Sequence, residues 1–311
     1  RATLLERIRI SDPRWHLLTQ PASIDLRRVL EQLAGRRQMA LTLFYDPPRI
    51  VAVLLGNGRA VVDTLELTAP TLKAIGEYGR ALERAHVDPF QYDFSVAHGV
   101  RVSDLIPRPL VESALSGDSL VVIPHDQLHV LPWAGLLHEQ RRLFELVPVG
   151  VLPSLAAMGS AGHTGRPTRV MRVGVGIYPG LDRLIDLPSV TGEIEDVGRA
   201  YSAAGTDVPD ALLGDTATER GFWQAARRLA GPGSLLHMSC HGTMVPTEPM
   251  SSGLLLTDAK IDAAEIAQGG ARFDEVVLSA CSTGWRPHEV DDVRLTADEI
   301  LGIPGGFLEA G

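Results

Sequence analysis

Two short stretches of this chain share one shape. Ser234 to Gly242, Ser-Leu-Leu-His-Met-Ser-Cys-His-Gly, is an apolar run that stops at a histidine followed by glycine. Glu275 to Gly284, Glu-Val-Val-Leu-Ser-Ala-Cys-Ser-Thr-Gly, is a second run that stops at a cysteine. Runs this short and apolar, closed by glycine, are the signature of buried strands. Helical spacing lies between and before them, and strand–helix–strand order implies a mainly parallel sheet with helices on its faces. Right-handed crossovers bring the strand ends out on one side of such a sheet, where its sites lie. Side by side, the two strands would present His241 and Cys281 at one edge.

The rest of the second half fits this scheme. Arg172 to Ile177 reads as a strand. Val190 to Ala204 reads as a helix opened by Ser189, with Glu193 and Glu195 in its early turns, where carboxylates favour the positive end of the helix dipole. Thr218 to Ala230 is a second helix, Leu254 to Leu256 a short strand and Ala263 to Ala267 a short helix.

The first half begins with an amphipathic helix over Ser23 to Arg36, its apolar side carrying Ile24, Val29, Leu30 and Leu33. Strands follow at Met39 to Tyr45, Ile50 to Leu55 and Ala60 to Leu67. Pro47-Pro48 separates the first two, and Asn57-Gly58, suited to positive φ, makes a hairpin of the others. Thr71 to Arg84 is a helix with Leu72, Ile75 and Leu82 on one side, while 90–108 gives no regular pattern. Leu120 to Pro124 is a buried strand that turns at His125-Asp126-Gln127 into Leu128 to Leu131; Trp133 belongs to the core, and His125, His129 and His138 to turns or surface. Leu146 to Val151 is another strand, with a helix starting near Pro153-Ser154. The glycine- and proline-rich stretch from Gly159 to Thr168 marks a boundary. The expected division is a helical lead-in over 1–38, an N-terminal half over 39–162 and a catalytic half over 163–311.

Composition narrows the function. At 45% hydrophobic and 22% charged the chain is globular, and 311 residues allow one large domain or two. A net charge of −9 argues against a nucleic-acid partner. No apolar run approaches the roughly 18 residues that span a bilayer, so no membrane contact is expected. Two cysteines make no disulfide framework and suit a reducing cytoplasm. The first residue is Arg rather than Met, and the sequence is expected to be a fragment.

A thiol beside an imidazole is the minimum equipment of a cysteine nucleophile, because the imidazole takes the thiol proton and can later hand it to a leaving amine. Backbone amides at the strand-end turns, those of Gly242 and Cys281, are candidate donors to a developing oxyanion. Cys240, inside its strand, points opposite to His241 and reads as a small buried hydrophobe. Other chemistries fit less well. A phosphatase loop counted from Cys281 needs arginine at 287, which is proline, with Arg286 one short. A zinc site from His237, Cys240, His241 and Cys281 would need ligands from opposite faces of one strand, and no C-x-x-C pair exists. Gly174-Val175-Gly176 is too little for a dinucleotide loop. No metal or cofactor is called for.

With His241-Gly242 and Ser279-Ala280-Cys281-Ser282-Thr283-Gly284 the chain resembles the CHAT family of caspase-like peptidase domains. The likeness extends through Val121-Val122-Ile123-Pro124, Leu131-Pro132-Trp133-Ala134-Gly135-Leu136, Leu152-Pro153-Ser154-Leu155, Leu187-Pro188 with Glu193, and Gly302-Ile303-Pro304 with Phe307-Leu308, covering 39–311. It implies a caspase-hemoglobinase α/β fold, related to caspases and separase, with a degenerate N-terminal pseudo-protease half. It implies a Cys281–His241 dyad with Gly242 and Cys281 amides as the oxyanion hole. A protein substrate and a regulatory protein partner, of a kind that carries tetratricopeptide repeats, come with it, in bacterial signalling or defence. The family pattern continues past Ala310-Gly311, so the catalytic half is expected to be C-terminally incomplete. Related peptidases line the pocket for the side chain before the cut with the residue two before the cysteine, here Ser279, and Asp258 is a further pocket candidate; basic and small-to-apolar preferences both stay open. The alternative is a catalytically silent scaffold that signals by conformation.

Overall fold

The structure is a computed structural model and describes residues 25–87, 100–152, 155, 158, 165–178, 186–245, 248–280, 289–290, 293–294 and 302–310, without side chains for 79–87, 289–290 and 293–294. The described chain forms two compact units, one drawn from residues up to Ser160 and one from most of the chain beyond it.

In the first unit, helix α1 (Leu26–Gly35) starts at Asp25, whose carboxylate accepts from the amides of Arg27 and Arg28, and buries Val29 and Leu33. Strands β1 (Gln38–Asp46), β2 (Arg49–Gly56) and β3 (Arg59–Glu66) form an antiparallel meander. Asn57 and Gly58 turn it at φ of 51° and 72°, the left-handed pair a tight hairpin needs. Helix α2 (Ala69–Val87) and helix α3 (Arg108–Ala114) follow. Then β4 (Ser119–Ile123) and β5 (Val149–Val151) add in parallel beside β1, giving the order β3-β2-β1-β4-β5. Between them Asp126–Val130 is a 3-10 turn, not an extended segment, and it buries Leu128 and lets the Leu128 carbonyl accept from the Trp133 indole at 2.9 Å. Trp133 is 1% exposed, a core residue as its sequence context implied.

The second unit is built on a parallel sheet in the order β12-β8-β6-β7, from β6 (Arg169–Gly174), β7 (Leu212–Leu213), β8 (Gly231–Ser239) and β12 (Phe273–Ser279). Helix α4 (Val190–Ala203) covers one face. Helices α5 (Glu219–Leu229) and α6 (Ala263–Gly269) cover the other, with Phe222, Ala226 and Ile266 packed on Met171, Val173, Leu236 and Met238. A small antiparallel sheet of β9 (Gly242–Thr243), β10 (Gly253–Leu255) and β11 (Lys260–Asp262) continues from the end of β8, and helix α7 (Ile303–Ala310) closes the unit. This is the mixed α/β architecture, with parallel strands between helices, that the sequence pattern implied. Two details differ. Strand β6 ends at Gly174, three residues before the expected Ile177, and Ser189 starts α4 without a side-chain cap. Among the described residues no helix is long and apolar enough to cross a membrane.

Gly174 decides how close α4 comes. A Cβ there would meet Ile194 Cγ1 at 2.8 Å and Val190 Cγ1 at 2.9 Å, so the helix rests on bare backbone. Gly174 is also the register partner of Ser239 on β8, which in turn is paired with Ser279 on β12. The helix therefore comes down on the row Gly174–Ser239–Ser279, at the carboxyl ends of all three strands.

Candidate active site

His241 stands where one ladder ends and another begins. The parallel ladder runs out as the Cys240 amide donates to Ser279 O at 3.3 Å and the Val175 amide to Ser239 O at 3.0 Å. One residue later the chain enters the antiparallel sheet, and the Leu255 amide donates to His241 O at 2.9 Å. The return bond of that pair is not direct. The His241 amide donates to the Tyr178 hydroxyl at 2.8 Å, and that hydroxyl donates to Leu255 O at 3.3 Å. A phenol is thus inserted in the ladder, and its ring lies against the His241 ring, centroids 5.1 Å apart and tilted by 40°. Burial pushes the Tyr178 phenol up to about 12, against the bond from His241, so it stays protonated and able to donate. Alternation along an antiparallel pair then makes Gly242, opposite Leu254, a non-hydrogen-bonded position whose amide is directed away from β10.

A polar row runs beneath. Side chains alternate along β8, so Leu236, Met238 and Cys240 join the apolar core under α5 while His237 and Ser239 face α4. Two buried polar residues on one strand face need partners, and both find Glu193, on the first turn of α4. The Glu193 Oε1 is 2.8 Å from His237 Nε2, and Oε2 accepts from Ser239 Oγ at 2.9 Å and from Ser279 Oγ at 3.2 Å. An ionised carboxylate only accepts, so Nε2 carries the proton in that bond. Burial raises the Glu193 carboxyl, but the bonds from His237, Ser239 and Ser279 and the attraction of the His237 ring outweigh it, holding the group below its ordinary value of 4.5.

The residues singled out from sequence are distributed as follows. Cys281, as nucleophile and as oxyanion donor, lies outside the described residues. His241 and Gly242 sit at the ladder junction. Ser279 is exposed at the end of β12 and bonded to Glu193. Asp258, in the turn between β10 and β11, accepts from the Glu219 amide at 2.9 Å, at the start of α5. That helix covers the face of the sheet opposite to α4, the helix that carries Glu193. Cys240 is 2% exposed, and burial pushes its thiol up to about 12, a bond from the Leu255 amide opposing. His237 and Cys240 diverge to opposite faces, which separates two of the four ligands a zinc site would have used. Among the described residues no group of three or more histidine, cysteine, aspartate and glutamate side chains could hold a metal ion.

Sequence reasoning missed Glu193 and Tyr178 as parts of this site. It gave Glu193 a dipole role and a place in the family likeness but none at the site, although the alternation His237, Ser239, His241 in an otherwise apolar strand was a signal that a polar partner must face it. Nothing in the local sequence marks Tyr178.

The mixed α/β architecture, parallel strands flanked by helices, is that of a caspase-like, peptidase-related domain. Comparison with known families matches residues 77–311 to the CHAT domain, and the chain belongs to the CHAT domain family. The match begins within α2, after the β1–β3 meander. No curated protein matched the chain.

Proposed function

We propose that the chain is a caspase-like cysteine endopeptidase that cleaves a specific protein partner, with Cys281 as nucleophile and His241 as general base. The observation that carries this reading is the register of β8 and β12. Ser239 lies opposite Ser279, so His241 and Cys281 each follow by the same two residues on adjacent parallel strands. His241 takes the Cys281 proton, and Sγ attacks the peptide carbonyl carbon. The tetrahedral oxyanion is held by the amides of Gly242 and Cys281. As the C–N bond breaks, His241 returns the proton to the leaving amine and a thioester remains. Water, deprotonated by the same imidazole, then releases the acid. Ser279 and Asp258 line the pocket for the side chain before the cut. In this reading the enzyme works in the bacterial cytoplasm, in signalling or defence, and is released by a protein partner.

Incubation of the wild-type chain and of Cys281→Ala with the proteins encoded beside it, followed by mass spectrometry, tests the proposal. Wild type should yield a defined fragment and Cys281→Ala none, while Cys240→Ala cuts as wild type does. If wild type cuts nothing with candidate activators present, the silent-scaffold reading takes its place.

A further inference from the structure

We propose that Glu193 is a positioning residue for the dyad: its carboxylate ties the end of β8 to the end of β12, two residues in sequence before His241 and before Cys281. The inference rests on the Cys281–His241 reading. A single oxygen, Oε2, accepts from Ser239 and from Ser279, the paired residues of the two strands. The other oxygen is held by His237, so the carboxylate cannot rotate away from the serines without losing a third bond. Three of its roughly four lone-pair positions are used within the chain. That is how a fixed structural tie is bonded, rather than a group kept open for a ligand.

Packing alone does not do this work. On β8 the α4 face is covered, but on β12 the same face is open: Glu275 and Ser279 are exposed and Val277 is 36% exposed. Among the described contacts, the side-chain bond that joins the end of β12 to α4 is that of Ser279 with Glu193. A proton passes between sulfur and imidazole only within hydrogen-bond reach, about 3 Å, so sideways drift of the β12 end would uncouple the pair.

The charged and titratable side chains that the sheet directs to this face are Arg172 on β6, His237 on β8 and Glu275 on β12. Arg172 is spent on the carbonyls of Ile194 and Pro209. The test must therefore break the tie without altering charge. Ser279→Ala, Ser239→Ala/Ser279→Ala and Glu193→Asp all do so, the last by drawing the carboxylate back one methylene.

The readout is the rate at which iodoacetamide alkylates Cys281, followed by mass spectrometry from pH 5 to 9, which needs no natural substrate. In wild type the paired thiol should react with a midpoint well below the ordinary value of about 8.5. In the three variants the midpoint should rise by a unit or more, with alkylation at pH 7 roughly tenfold slower. Ser279→Thr, which keeps the hydroxyl, should restore the wild-type profile. Ser279 is exposed, so its alanine variant keeps the fold, which an unchanged circular dichroism spectrum would verify. A wild-type midpoint at the ordinary thiol value would overturn the dyad itself. A shifted wild-type midpoint that Ser279→Ala and Glu193→Asp leave in place would overturn the role of Glu193 and leave the dyad standing.

Discussion

The Tyr178 hydroxyl occupies a position that a backbone carbonyl normally fills. By standing between the His241 amide and Leu255 O it bridges the residue just before β9 to the end of β10 and satisfies both groups. Removing it leaves a partly buried donor and a carbonyl without that bridge, and an unmet buried group costs about 1–3 kcal/mol. Tyr178→Phe keeps the ring against His241 and deletes only the oxygen. It should lower the free energy of urea unfolding by about that much, read by circular dichroism; an unchanged midpoint would mean that the strands close to a direct bond at no cost. At this scale the sequence was informative where chemistry and chain position coincide. His241 and Gly242 at a strand end, and Cys240 turned into the core, could all be read from alternation. Tyr178 and Glu193 could not, because each acts on residues more than forty positions away, and only the folded register brings them there.

Among the elements, strand and helix identity were largely legible, since hydrophobic period reports which face is buried. Ends were less so. The run Val173-Gly174-Val175-Gly176-Ile177 is apolar throughout, so its pattern carries no mark of where pairing stops; the stop at Gly174 is set by the length of β8 beside it. Leu128 to Leu131 reads as an extended segment after a turn, yet Asp126–Val130 closes into a 3-10 turn whose Leu128 carbonyl accepts from the Trp133 indole. The contact of α4 with β6 gives the element-scale prediction. In a strand, alanine in place of glycine ordinarily gains about 0.5–1 kcal/mol from the unfolded state. At Gly174 the new methyl would press on Ile194, Val190 and Leu213, two of them β-branched and stiff. Overpacking costs about 1–3 kcal/mol, so the loss wins. Gly174→Ala should be destabilised by urea titration, whereas Gly205→Ala, an ordinary exposed-turn control where nothing lies within 4 Å but φ is +82°, should lose stability through backbone strain alone.

For the molecule as a whole, each unit carries its own apolar core, one around Leu41, Ile50, Leu105 and Trp133 and one around Met171, Phe222, Leu236 and Cys240. The second contains a built-in reporter. Cys240 is 2% exposed, and burial holds its thiol at about 12, so in the folded state it is both out of reach and protonated. A thiol reagent can modify it only when that core opens. In the Cys281→Ala chain, Cys240 is the sole cysteine, and its rate of reaction with a disulfide reagent at pH 8 therefore measures the opening of the second unit. If opening costs even 5 kcal/mol, at the low end for a folded domain, labelling should be at least about a thousandfold slower than in the urea-unfolded chain. The rate should climb with urea in step with the loss of helical signal from α4, α5 and α6. Labelling at the rate of an exposed thiol in the absence of urea would show that strand β8 does not turn Cys240 into the core. The alternation that separates Cys240 from His237, Ser239 and His241 would then fail with it.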